Sequence, residues 1–137
     1  MKVLFVDPDW HFVQQARGFL EAHAHLVVYE PQPAAALQRA LRWQPDVVVI
    51  SAELPCCCDG SRLEELSQLR PRPAIVLTSS LARFDKAWRA WQRGGDEVLI
   101  KPLLHPNEIH AAIVAAMQNA ICPQRRAAAH QPQRLSA

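Results

Sequence analysis

The sequence predicts an α/β fold in which a parallel sheet of five strands carries helices on both faces. Two observations support this. Five short runs (Lys2–Val6, Leu26–Tyr29, Val47–Ile50, Ala74–Leu77 and Val98–Ile100) are almost continuously apolar and rich in β-branched residues, the pattern of strands buried on both faces. Each is followed by a stretch with apolar residues at helical spacing, and a strict βα alternation implies parallel strands joined by right-handed crossovers.

The elements can be justified in chain order. Asp9 is a good N-cap for a first helix, whose apolar stripe is Phe12, Val13, Ala16, Phe19 and Leu20. Pro33 sits early in a second helix, where its missing N–H costs little, and Ala36, Leu37, Ala40 and Leu41 form the stripe. A short third helix over about 61–69 buries Leu63, Leu66 and Leu69. A fourth covers Leu81–Arg93 and stops at Gly94-Gly95, read as a C-cap signal. The fifth starts near His105-Pro106 and carries Ile109, Ala112, Ile113, Ala116 and Met117. The domain is expected over 1–122, and 123–137, where Gln, Arg, Ala and Pro replace the apolar pattern, is expected to be a disordered basic tail.

At 137 residues there is room for one core. No apolar run approaches the roughly 20 residues of a membrane span, and the apolar start of the chain reaches Asp7 too soon for a signal peptide. A cytoplasmic location is expected. The net charge is +2, but the only charged residues after Cys122 are Arg125, Arg126 and Arg134, so the part before them holds 12 basic and 13 acidic side chains. A part so close to neutral has no electrostatic footprint for nucleic acid. Cys56, Cys57, Cys58 and Cys122 are expected to be free thiols, since adjacent cysteines satisfy disulfide geometry poorly. A thiol-based redox or metal sensor is the alternative for this loop, but vicinal cysteines chelate zinc badly, and the six histidines show no ligand spacing within one element.

In an open parallel sheet the functional site lies beyond the carboxyl ends of the strands. An acid, Asp7, closes the first strand; Leu54-Pro55 and then Asp59-Gly60 follow the third; Thr78 ends the fourth; Gly94-Gly95-Asp96-Glu97 leads into the fifth, which closes with Lys101-Pro102. In that order and spacing the chain resembles the receiver domains of two-component response regulators, over about residues 2–121. The resemblance implies a flavodoxin-like (βα)5 fold. It also implies a chemistry in which a carboxylate at the end of the third strand becomes an acyl phosphate. An adjacent acidic pair holds Mg²⁺ for the transfer, while a hydroxyl and a lysine hold the phosphoryl oxygens.

The chain departs from that pattern at three places. Counting back from Leu54-Pro55, the acceptor position is Ser51; Pro8 fills the second position of the acidic pair, leaving Asp7; and Val98 stands where the family has a switching aromatic. Thr78 and Lys101 remain. A serine hydroxyl without an adjacent base is a poor nucleophile, and one carboxylate is a thin set for a hard cation. Lys101 is therefore expected to pair with Asp7 internally, and no cofactor or metal is expected. The reading is a receiver-like protein-interaction module, not an enzyme, acting on another protein or on a second copy because the chain shows no output domain. One alternative is a phosphorylatable regulator with a non-standard acceptor such as Glu53 or Asp59. Another is a small flavodoxin-like enzyme or nucleotide binder, although no glycine-rich phosphate loop occurs. The resemblance places the interface on the fourth helix, fifth strand and fifth helix, with Phe84 and Trp88 pointing outward beside Val98. Trp10 is placed to cap the vacated site.

Overall fold

The structure, a computed structural model, describes residues 1–54 and 61–121. The expectations for Pro55, Cys56, Cys57, Cys58, Asp59, Gly60, Cys122 and the tail 123–137 lie outside the described residues. The chain runs β1 (Lys2–Val6), α1 (Trp10–Ala22), β2 (Leu26–Tyr29), α2 (Ala36–Trp43, entered by a 3-10 turn Pro33–Ala35), β3 (Val47–Ser51), α3 (Ser61–Ser67), β4 (Ala74–Ser80), α4 (Phe84–Arg93, entered by a 3-10 turn Leu81–Arg83), β5 (Glu97–Lys101) and α5 (Asn107–Ile121). All strand pairings are parallel, in the order β2-β1-β3-β4-β5. This is the predicted flavodoxin-like (βα)5 architecture.

Side chains alternate across each strand, and that alternation sorts the core into two layers. Val3, Phe5, Val47, Val49 and Val76 meet Phe12, Val13, Ala16 and Leu20 of α1 and Ile109, Ile113 and Ala116 of α5. Leu4, Val6, Val48, Ile50, Ile75 and Leu77 meet Ala36 and Ala40 of α2, Leu63 and Leu66 of α3, and Ala87 and Ala90 of α4. Asp9 caps α1 as expected, its side chain accepting the Phe12 N–H at 3.2 Å.

Two boundaries differ from the sequence reading. β4 runs on through Thr78, Ser79 and Ser80, and β3 through Ser51, beyond the apolar runs at Ala74–Leu77 and Val47–Ile50. The ladder continues because Thr78, Ser79 and Ser80 pair with Leu99, Ile100 and Lys101. The Gly94-Gly95 pair does end α4, but not through a left-handed cap: Gly94 has φ 168°, an extended value open to any residue. Close approach is the reason for glycine here. A Cβ on Gly94 would lie 2.7 Å from Ser67 Oγ, and one on Gly95 would collide with Leu77 Cδ1 and sit 2.9 Å from its Cγ.

At the α1–β2 corner, His25 Nδ1 lies 3.0 Å from the Met1 ammonium, and the His110 ring of α5 stacks 6.3 Å away. Partial burial above all, then the ammonium, His110 and His23, hold the His25 pKa below its ordinary 6.5.

Gly95→Ala should therefore destabilise the fold by about 1–3 kcal/mol through overpacking. Gly18→Ala, in the middle of α1 with open space around it, should stabilise it by about 0.5–1 kcal/mol; urea denaturation reads both. Because the folded protein binds a proton at His25 less readily than the unfolded chain, the His25 contribution is complete above pH 6.5 and fades as pH falls below it. His25→Gln should flatten the loss of stability between about pH 7 and 5 in the same assay.

Candidate functional site

The chain leaves β1 toward β2 on one side and returns to β3 on the other, which opens a crevice at the carboxyl ends of the strands. Four elements deliver side chains there. Asp7 follows β1, Ser51 ends β3, Thr78 lies opposite Ser51 on β4, and Lys101 ends β5 opposite Ser80.

Asp7 is the centre of this group. Its side chain is fully buried, yet three donors converge on it. Lys101 Nζ lies 3.1 Å from Oδ1 and 3.0 Å from Oδ2. The Thr78 hydroxyl donates to Oδ2 at 2.5 Å, and the Asp9 backbone N–H donates to Oδ1 at 2.9 Å. Lys101 is itself 9% exposed; its ammonium stands 3.7 Å from Asp9 Oδ2 and 5.4 Å from the Phe12 ring centroid. The internal Lys101–Asp7 pair expected from the sequence is present.

Ser51 is buried beside this cluster but outside its hydrogen bonds. Its Oγ accepts the Glu53 N–H at 3.2 Å, and Glu53 Oε1 in turn accepts the Ser80 hydroxyl at 3.0 Å. A cleft of about 490 Å³ opens over these groups, lined by Pro8, Ser51, Glu53, Leu54, Lys101 and Pro102 among others. The sequence reading missed Ser80 and the third charge, Asp9; the signal for Ser80 was its register with Lys101, which needs the strand pairing.

This donor set does not fit Mg²⁺. Both Asp7 oxygens already accept hydrogen bonds, an ammonium holds the place beside them, Pro8 offers no side-chain oxygen, and one Glu53 oxygen is taken by Ser80. Among the described residues no group of three or more His, Cys, Asp or Glu is arranged to hold a metal ion.

Two aromatic placements are corrected. Trp10 does not cap the crevice: it is half-exposed and packs on Tyr29 of β2, with ring centroids 5.0 Å apart. Trp88 does not stand out into solvent; it sits one turn from Trp91 on α4 and packs edge-to-face on it at 5.3 Å, which leaves it half-buried. Phe84 is exposed, as expected, while Val98 is half-buried against the layer of α2, α3 and α4. No helix among the described residues is long and apolar enough to cross a membrane.

The chain is 31% identical over 106 residues, 74% of its length, to protein-glutamate methylesterase/protein-glutamine glutaminase 2 of Rhodospirillum rubrum, of which it covers 29%. It is 30% identical over 121 residues, 85% of its length, to the alkaline phosphatase synthesis transcriptional regulatory protein PhoP of Bacillus subtilis, of which it covers 48%. The chain thus spans less than half the length of these curated relatives. Among solved structures, a response regulator receiver domain protein (CheY-like) from Methanospirillum hungatei superposes with a TM-score of 0.72 at 18% identity, covering 88% of this chain and 95% of that one. The chemotaxis response regulator CheY4 of Vibrio cholerae superposes at 0.71 and 18% identity, covering 84% and 97%. No protein-family model matches.

Removing one partner of a buried ion pair leaves the other charge uncompensated, so Lys101→Met should cost about 3–5 kcal/mol in urea denaturation. The double variant Asp7→Asn, Lys101→Met removes both charges and should be distinctly more stable than Lys101→Met alone. Equal stability of the two would show that Asp7 does not depend on Lys101.

Proposed function

We propose that this chain, whose fold is that of the response-regulator receiver domains, is a pseudo-receiver: a cytoplasmic, non-enzymatic signalling module that works by binding protein rather than by accepting a phosphoryl group. Membership of the two-component response-regulator family is supported by the similarity to PhoP and by the superposition on CheY-like receivers. One observation supports the phosphorylation-independent mode above the others. The groups that would receive and hold a phosphoryl group are committed to each other. Lys101 and Thr78 are bound to Asp7, and Ser51, at the acceptor position, is 1% exposed with its Oγ taken by the Glu53 backbone N–H. An attacking hydroxyl needs a base in reach, and a transferring phosphoryl group needs cations free to meet its charge.

The proposed contact surface is the face of α4, β5 and α5, with a protein partner or a second copy as the occupant. β5 is an edge strand. On its α4 side stand the exposed Phe84 and the half-buried Trp88 amid Arg83, Lys86 and Arg89; on its α5 side, Glu97 and Glu108 border a cleft of about 390 Å³. Cations on one flank and carboxylates on the other suit a two-fold pairing of identical faces. They also suit a partner that carries an acidic rim around an aromatic pocket.

Acetyl phosphate with Mg²⁺ should leave the intact mass unchanged, and a labile phosphoryl adduct would defeat the proposal. Ser51→Asp with Pro8→Asp should create Mg²⁺ affinity measurable by calorimetry, together with lower stability without metal, because three carboxylates would then crowd together. Phe84→Ala and Trp88→Ala should weaken association about thirtyfold, read by sedimentation for self-association or by titration of a captured partner, for a loss of about 2 kcal/mol. Ser51→Ala should leave association unchanged.

A further inference from the structure

A second cleft, of about 430 Å³, lies between the end of β2 and one face of α2 and shares no lining residue with the strand-end crevice. Its walls are Glu30, Ala35, Gln38, Arg39, Arg42 and Trp43. Glu30 is 7% exposed, and its carboxylate accepts the Gln32 N–H at 3.0 Å and the Arg39 Nε–H at 3.2 Å. Arg39 is thereby held through Nε alone, and its two terminal NH₂ groups have no partner among the described residues. Arg42, one turn further along α2, is exposed and also without a partner there. A third cation borders the same helix end: Lys2 Nζ donates to the Trp43 carbonyl at 3.0 Å and lies 5.7 Å from its ring centroid. Two cations, Arg39 and Arg42, thus line a cleft whose one carboxylate, Glu30, is buried and already paired. The remaining acid in the neighbourhood, Asp46, takes the backbone N–H of Lys2 at 2.8 Å.

We propose that this cleft binds a small phosphoryl-bearing anion, held by the terminal arms of Arg39 and Arg42. A guanidinium offers paired N–H groups in a plane that match two phosphoryl oxygens. The buried Glu30 fixes Arg39 through the one nitrogen such a ligand does not need, so the fork is oriented before the ligand arrives. The volume suits a small ligand, and the surplus of positive charge would concentrate anions there. No glycine-rich loop is required, because the side chains supply the donors.

The test is calorimetric titration of the full chain with two probes, inorganic pyrophosphate and ADP. Saturable binding of either is expected, weakened about tenfold or more by Arg42→Gln and likewise by Arg39→Gln, the loss typical of a charged hydrogen bond. Arg17→Gln removes the same charge from α1, where Arg17 pairs with Glu21, and should leave binding intact. ADP bound at least tenfold more tightly than pyrophosphate would assign a nucleotide-type ligand; equal affinities would assign the bare anion. Arg42 lies in the last turn of α2, where a cation also favours the helix dipole. Retained binding in Arg42→Gln would reduce it to that role and overturn the proposal. So would an absence of saturable binding with both probes, or an equal loss in Arg17→Gln.

Discussion

A carboxylate taken out of water must find its compensation inside the protein, and Asp7 imposes that requirement on the whole sheet. An unpaired buried charge costs several kcal/mol. Its partners are Thr78, 71 residues away, and Lys101, 94 residues away. Both arrive only if β4 and β5 lie on the same side of β1 as β3 and run parallel to it, which is the observed order. β5 ends at Lys101 itself, while β4 runs two residues beyond Thr78, to Ser80. The nearest N–H, that of Asp9, completes the set and leads directly into the cap of α1.

The same arrangement bears on function. A lysine, a hydroxyl and a carboxylate at the strand ends could each serve an incoming anion or cation, but here they satisfy one another. The crevice is a closed electrostatic unit beneath an open cleft. Chemistry that needs a free cation or a free carboxylate at this position must first break a buried ion pair, and the serine at the end of β3 supplies nothing to replace it.

The outer surfaces of the helices differ between the two layers. His11, His23, His25, His105 and His110 lie on α1, on α5 or in the loops beside them, whereas Arg39, Arg42, Arg83, Lys86 and Arg89 lie on α2, on α4 or in the turn that opens α4. The proposed protein-binding face and the proposed anion cleft both draw on the second layer, at opposite edges of the sheet.

Local pattern in the sequence determined the βα alternation, the five strands, the helical stripes, the Asp9 cap and the candidates Asp7, Ser51, Thr78 and Lys101. Each of these rests on residues within a few positions of one another, where the periods of strand and helix are visible. The charge pair could be anticipated too, because Asp7 and Lys101 both end strands of a parallel sheet. The tertiary structure alone decided that β4 continues past Thr78 to Ser80, that Trp10 rests on Tyr29 while Trp88 leans on Trp91, and that Gly95 is small because Leu77 is close. It also joined Glu30 to Arg39 beside an open cleft. Most of these outcomes depend on contacts between separate elements. Even the Trp88–Trp91 pair, local in sequence, depends on how the two rings settle once Ala87, Ala90 and Trp91 are seated against the sheet layer.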